Sequence, residues 1–443
     1  MGIQIDFYAN LIKKRTLRKS IAHKDFCFAE NFKNMIIQGK STSAEIFTDN
    51  IEDAALQWVT TLCDHPAMKG AKIVQMPDVH AGASCNVGTA YPIGAHINPD
   101  HIGVDIGCSV SMHRLSSPIN TDSTLPEQDG TPILALLDHR IRDVVPTGNN
   151  ICGKNSLNEK EFFQFLNREY RKARSCAPEF INEVTRIDSR FISDFCRRIK
   201  LQEGIFYKSI GSLGGGNHFI EYGEDTVTGD GWVTIHCGSR NLGVKVANHW
   251  HNIAGNPRRG NLIGYLWGDA LCGYLSDMVI AQAYALYNHK VIRDRIFAII
   301  KKLTGAKCAE SIHTTHNYIS ITDDEMILRK GAIDASAGRK VAIPFNMRDG
   351  IAIGAGKGNG QWLCSAPHGA GRIMSRAMAK RQIALADYES AMTGIYSTSV
   401  CAATIDESPM AYKSTEEILT MINPTVEIIA MVKPRLNIKD INQ

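Results

Sequence analysis

Trp232-Val233-Thr234-Ile235-His236-Cys237-Gly238-Ser239-Arg240 is a short apolar run that ends on a histidine and passes into a glycine turn. It reads as a strand closing in a loop. Other segments share this form. Lys72–Met76 leads into Pro77-Asp78, Lys340–Ile343 into Pro344, and Gly350–Gly354 follows. Between them lie stretches with apolar residues at spacings of three and four, 155–202 and 264–303, which predict helices. Strands and helices do not alternate regularly, so the expected class is α+β: a mixed sheet core with helical insertions around a deep, metal-containing cleft. No repeat or Pro-rich linker divides the chain, and one large compact domain, 1–443, is expected.

Composition excludes several alternatives. The 443 residues are 44% hydrophobic and 21% charged, unlike a disordered chain, a collagen-like rod or a coiled coil. No apolar run reaches the roughly 18 residues of a membrane helix. The N-terminus lacks the apolar core of a signal peptide, and Asp6 stands where a myristoylation signal needs Ser or Thr. Twelve cysteines without a CxxC pair argue against a disulfide framework or a Cys-only zinc site, and make a reducing cytoplasm the expected setting. The 49 Lys and Arg against 45 Asp and Glu, a net +4, neither require nor oppose a nucleic-acid partner.

Metal-ligand residue types concentrate at strand ends: Met76-Pro77-Asp78-Val79-His80, Gly103-Val104-Asp105-Ile106-Gly107-Cys108, Gly214-Gly215-Gly216-Asn217-His218-Phe219-Ile220-Glu221, and the segment around His236. Asp105 and Cys108 stand three apart in a Gly-flanked turn, which can aim a carboxylate and a thiolate at one ion. The plainer reading is a turn Asp and a buried Cys. His218 follows three glycines, whose N–H groups can turn toward an anion, though no GK[ST] makes this a Walker loop. With His236 and His316, the set is three His, one Asp and one Cys, enough for two ions sharing a ligand. The thiolate is the natural bridge, and the donor types suit Zn, Mn, Co or Fe.

His368 lies in Ser365-Ala366-Pro367-His368-Gly369-Ala370-Gly371-Arg372, with a helix expected just beyond. So little side-chain bulk would let an imidazole approach a phosphorus atom while backbone amides and Arg372 hold the oxygens. Arg240, Lys330, Arg372 and Arg376 recur in these loops and suggest a phosphate-bearing substrate, with ordinary surface charge as the alternative.

Taken together, MPDVH (76–80), GVDIGC (103–108), GGGNHFIE (214–221), HCGSRNLG (236–243), HNY (316–318), RKGA (329–332), APHGAGRIMSR (366–376) and DESPMAYK (406–413) resemble the RtcB-type RNA-splicing ligases, a GTP- and manganese-dependent family. The motifs run in the family's order along nearly the whole chain after residue 70, leaving 1–70 as a variable N-terminal part. The resemblance implies one metal site of Asp105, Cys108 and His218, and a second of Cys108, His236 and His316. It implies that His368 becomes guanylylated. It places Asn217, His218, Glu221, His316, Asn317, Pro344, Asn346, Met347, His368, Gly369, Ala370, Gly371 and Lys439 at the nucleotide, and Arg240, Lys330 and Arg376 along RNA phosphates. Asp78 and His80 are expected just behind the metals.

The implied partners are GTP, two Mn2+ ions, RNA carrying a 2′,3′-cyclic phosphate or 3′-phosphate with a 5′-hydroxyl partner end, and an archease-like activator. No membrane partner is implied. A metal-dependent phosphodiesterase using the same ions without a covalent histidine is the alternative, and a non-catalytic RNA binder a third. The sequence departs from the family's Pro-Gly-Ser-Met-Gly loop: Asn346 and Ile351 stand where serines are usual, and a looser choice of nucleotide is expected. Four residues also follow Lys439, where the family's pattern ends at Lys-Gly.

Overall fold

The structure, a computed structural model, describes residues 34–125, 130–153, 157–256 and 262–441. Gly2, Asp6 and the first part of the variable segment 1–70 lie outside the described residues.

Two sheets organise the described chain. The first has six strands in the order Met35–Gln38, Ser43–Ile46, Ile73–His80, Val87–Pro92, Met326–Lys330, Asn317–Ile321. The second has seven, in the order Cys308–Thr315, Ser109–Leu115, Gly231–Cys237, Phe219–Asp225, Val426–Ile438, Gly350–Gly356, Lys340–Asn346. Within these sheets the pair Ser43–Ile46 with Ile73–His80 is parallel, and the other pairs are antiparallel. This is the α+β class expected from the irregular element order.

The seven-stranded sheet curls until its edges meet. Ala342 N donates to Thr314 Oγ1 at 3.0 Å, and Lys340 pairs with Glu310. Alternate residues therefore point into a common interior. Val110, Met112, Phe219, Trp232, Ile312, Ala342, Ile351, Ile353 and Val432 fill it, with a contribution from each of the seven strands. The outer face, including Tyr222, Val233, Ile235, Leu436 and Ile438, packs with Ile292, Ile296 and Ile300 of a long helix.

That helix, Asp269–Thr304, answers the 264–303 expectation as one element of 36 residues. Its middle is apolar all round because it is covered all round. It ends where Gly305 takes a left-handed φ of 76° and donates to Lys301 O, a position that favours glycine. Despite its length it is not apolar enough to cross a membrane, nor is any other described helix. The 155–202 region supplies Glu159–Cys176 and Ser189–Arg198, followed by Glu203–Lys208. Phe162, Leu166 and Tyr170, four apart, form the buried stripe of the first of these, and Phe162 meets the rings of Tyr284 and Tyr287 on the long helix.

A buried carboxylate locks this helical layer. Asp277 of the long helix accepts two bonds from Arg198 at 2.7 Å each and one from Trp250 Nε1 at 2.7 Å. Three helices thus meet at one side chain. Asp277→Ala leaves the indole N–H and guanidinium unpaired. We expect a loss of about 2–3 kcal/mol, below the usual range for a fully buried pair because Arg198 is half-exposed. Urea unfolding of the variant checks this, and a loss under about 0.5 kcal/mol would show that water replaces the carboxylate.

Candidate metal centre and nucleotide cleft

Strand parity delivers the cluster. Cys108 precedes Ser109–Leu115 and shares the inward parity of Val110 and Met112. His236 pairs directly with Val110, and His316 follows Thr315, which pairs with Ser109. Three neighbouring strands of the curled sheet therefore bring a thiol and two imidazoles to one end of its interior. Asp105 and His218 arrive from adjoining turns.

The donor atoms form two triads, Cys108–His236–His316 and Asp105–Cys108–His218, each with its atoms within 4.8 Å of one another and with Cys108 in both. Cys108 Sγ lies 3.4 Å from His218 Nε2 and 3.3 Å from His236 Nε2. His218 Nε2 lies 3.1 Å from Asp105 Oδ2, and the Nε2 atoms of His236 and His316 are 3.3 Å apart. His236 Nδ1 donates to Asn217 O at 3.2 Å, so its Nε2 carries the lone pair toward the sulfur.

Electrostatics agree with a site built for cations. Burial, reinforced by the neighbouring imidazoles, pushes His236 and His316 well below the ordinary histidine value, so both rings are neutral ligands. Burial, then the Asp105 charge, pushes the Cys108 thiol well above its ordinary value. Burial pushes the Asp105 carboxyl up, but the His218 ring beside it prevails and holds it at about 2. A thiolate here needs a positive partner, and the sulfur–nitrogen–oxygen donor set fits a borderline divalent ion.

Gly214 has a φ of 103°, and a Cβ there would stand 2.4 Å from His218 Nδ1 and 2.3 Å from an Arg240 nitrogen. Gly214 thus makes room for these side chains. The Arg240 guanidinium donates to Ser212 Oγ and Gly148 O behind this turn, and the residue is not among those lining the cleft.

A cleft of about 580 Å³ opens over the cluster, within the size range of ligand sites. Asn217, Glu221, Asn317, Lys330, Arg376 and Lys439 line it, as do His80, Pro344, Asn346, Met347 and the His368–Gly371 loop. Short strands Ala332–Asp334 and Ser365–Pro367 pair and deliver His368 to the wall, its ring centroid 4.9 Å from that of His316. Asp78, fully buried, accepts from His368 Nδ1 at 2.7 Å and from His368 N at 3.1 Å, while its carbonyl meets His80 Nδ1 at 2.8 Å. The His368 amide is therefore engaged and cannot cradle a phosphate.

The helix expected after Arg372, over 373–390, begins at Arg376 with Ser375 as its cap and is divided into Arg376–Gln382 and Leu385–Ala391. Arg372 reaches the cleft, but it donates to Met374 O, Asp406 O, Glu407 and Tyr412. Asn346 lies in the wall with both ends of its amide bound inside its own turn, to Arg348 N, Asp349 N and Asp349 Oδ2. Lys439 Nζ lies 3.1 Å from Glu407 Oε2, and Arg376 bonds to Asp406 and Glu407. Glu407, Tyr412, Phe219 and Asn437 line the cleft without having been singled out from the sequence. Glu407 and Tyr412 stood inside the quoted 406–413 stretch. Asn437 could have been found from its place two residues before Lys439, on the same strand face.

The sequence profile described as "tRNA-splicing ligase RtcB" matches residues 59–440. The chain belongs to the RtcB family. It is 28% identical over 397 residues to "RNA-splicing ligase RtcB" of Escherichia coli strain K12, covering 83% of this chain and 90% of that protein. It is 23% identical over 445 residues to "tRNA-splicing ligase RtcB" of Archaeoglobus fulgidus, covering 87% and 90%. Against the Aeropyrum pernix protein of the same description it is 28% identical over 411 residues, covering 78% and 82%.

If one sulfur serves both triads, Cys108→Ser should empty both sites of this RtcB protein, since a hydroxyl is a poor substitute for thiolate. Metal analysis after gel filtration should fall from two ions per chain to well under one. Retention of one full ion would remove the bridging assignment.

Proposed function

We propose that this RtcB-family RNA ligase joins an RNA end carrying a 2′,3′-cyclic phosphate or 3′-phosphate to a 5′-hydroxyl end, through a guanylate carried on His368, with GTP as donor and manganese at the two triads. The observation that carries this reading is the Asp78–His368 pair beside the cluster. A buried carboxylate holding Nδ1–H fixes the tautomer and leaves Nε2 as a nucleophile facing the cleft. The same ring could act as a general base in a hydrolase, so formation of the covalent adduct is what separates the two readings.

In the proposed sequence His368 Nε2 attacks the α-phosphorus of GTP, an N–P bond forms, and the bond to the β-phosphate oxygen breaks as pyrophosphate leaves. A 2′,3′-cyclic end is first opened by water, which breaks the P–O2′ bond and leaves a 3′-phosphate and a 2′-hydroxyl. An oxygen of that 3′-phosphate then attacks the phosphorus of the His368-bound GMP, and the imidazole leaves. The 5′-hydroxyl then attacks that 3′-phosphate and GMP departs. Asp105, Cys108 and His218 would hold one ion, and Cys108, His236 and His316 the other. Bound there, the ions would supply charge neutralisation for the phosphates. Asp78 keeps the ring oriented throughout. Lys330 and Arg376, both in the cleft wall, offer positive charge to RNA phosphates.

His368→Ala should form no acid-labile adduct with labelled GTP and manganese while keeping its circular dichroism and metal content. A guanylate on that variant would place the nucleophile elsewhere. Asp78→Asn should slow single-turnover adduct formation by roughly 10²–10⁴, because an amide can hold the ring in the wrong tautomer.

Glu221 gives a pH test. Burial, opposed by the bond from Asn437 and the charge of Lys439, raises its carboxyl to about 8. Below that pH it is protonated, and a base edge that donates N–H to it must expel the proton. Affinity for GTP should rise as pH climbs toward 8. Calorimetry in buffers of different ionisation enthalpy, with manganese pre-bound, should show one proton released near pH 7 and none in Glu221→Gln. Equal release in the variant would exclude Glu221 as the source.

A further inference from the structure

Two buried oxygens in the cleft wall, Glu221 Oε1 and Asn437 Oδ1, have no hydrogen-bond partner among the described residues. The residues face each other across paired strands, with Asn437 in register with Glu221. Asn437 Nδ2 donates to Glu221 Oε2 at 2.9 Å. With Glu221 ionised, as acceptance of a base N–H requires, that bond fixes the amide, because turning it over would set Oδ1 against the carboxylate. Both side chains are at most 2% exposed and both line the cleft. Buried acceptors left open in this way call for donors from a ligand.

The surrounding face specifies the donors. Lys439 stands two residues beyond Asn437, so the two side chains share one face of the strand, and its ammonium has hydrogens beyond the one directed at Glu407. Phe219, two residues before Glu221, offers a ring near Lys439, with Nζ 5.6 Å from its centroid. The wall therefore presents two acceptors and a donor beside an aromatic surface. Its complement is a planar edge with two adjacent N–H donors and one acceptor. Among the nucleobases guanine has that edge: N2–H, N1–H and O6. Adenine, cytosine and uracil each lack the adjacent pair of donors.

We propose that Asn437 is a specificity-determining residue whose Oδ1 accepts from the 2-amino group of guanine. The more acidic N1–H goes to the Glu221 carboxylate. The assignment rests on the reading that the cleft takes GTP. It makes guanine selection a property of a strand pair, independent of the two serines that loop 344–351 lacks.

The test compares GTP with ITP, which differs only in lacking the 2-amino group. Binding to the full chain with manganese is measured by calorimetry, and adduct formation is followed in parallel. The native chain should favour GTP over ITP by about tenfold, the scale of one hydrogen bond. Asn437→Leu and Asn437→Ser should reduce the ratio of GTP to ITP affinity to under about two, beyond any loss common to both nucleotides from releasing Glu221. A native ratio under about two, or a native ratio retained in both variants, overturns the assignment. The native comparison needs no variant and stands even if one misfolds. Adduct formed equally from both nucleotides would sink Asn437 while leaving the ligase reading intact. Binding that favours GTP without any adduct would sink the covalent step and support Asn437.

Discussion

Burial of one sulfur atom governs the rest of the site. Cys108 is at the hub of two donor triads, and its ionised form is unfavourable there without a cation. A lone thiol could instead remain a small apolar side chain, but three imidazoles and a carboxylate crowd its neighbourhood. Their Nε2 atoms have no room to avoid one another. Carboxylate bridges are common in metal sites, but a carboxylate needs two separated oxygens and more space. One sulfur lets both triads share a single corner inside a closed sheet. Strand register holds Cys108, His236 and His316 together on three neighbouring strands, and the curl closes an apolar interior beneath them.

The two sheets divide the work. The curled sheet carries the metal donors and the polar face made by Glu221, Asn437 and Lys439. Asp78 comes from strand Ile73–His80 of the six-stranded sheet, and His368 from the short ladder beside it. Lys413 binds the far side, donating to Asn50 O and Pro77 O, and so fixes the backbone just before Asp78. The imidazole is thereby held from a scaffold separate from the one holding the ions. Its geometry toward the cluster depends on backbone ties between the halves, such as Gly107 N to Asn317 O and Ala332 N to His316 O.

What the sequence disclosed follows from which interactions are local. The Trp232–Cys237 strand, the long helix and the aromatic stripe of 159–176 depend on spacing within one segment, and each was readable. The five metal-ligand candidates were readable because Gly-flanked His, Asp and Cys at strand ends are unusual residue types for those positions. The partners of Arg240, Ser212 and Gly148, come from remote loops, and nothing local shows that its guanidinium is engaged. The hold on the His368 loop is equally remote, since Asp78 is 290 residues away in sequence. Asn437 needed the register across two strands, and register is invisible until the sheet is assembled.

Loop 344–351 departs from the family pattern at two positions. The missing serines suggested weaker nucleotide contacts in that loop. Asn346 has closed its own turn with its amide, and Ile351 packs into the interior of the curled sheet. Neither group is held out toward the cleft as an open polar contact. The polar capacity left open lies instead on neighbouring strands, where Glu221 and Asn437 hold unpaired oxygens. Backbone ladders on either side restrain those oxygens, whereas a turn can rearrange. A reader built on paired strands loses less freedom on binding than one built on a loop. Loss of hydroxyls from the loop therefore does not by itself imply loss of selectivity.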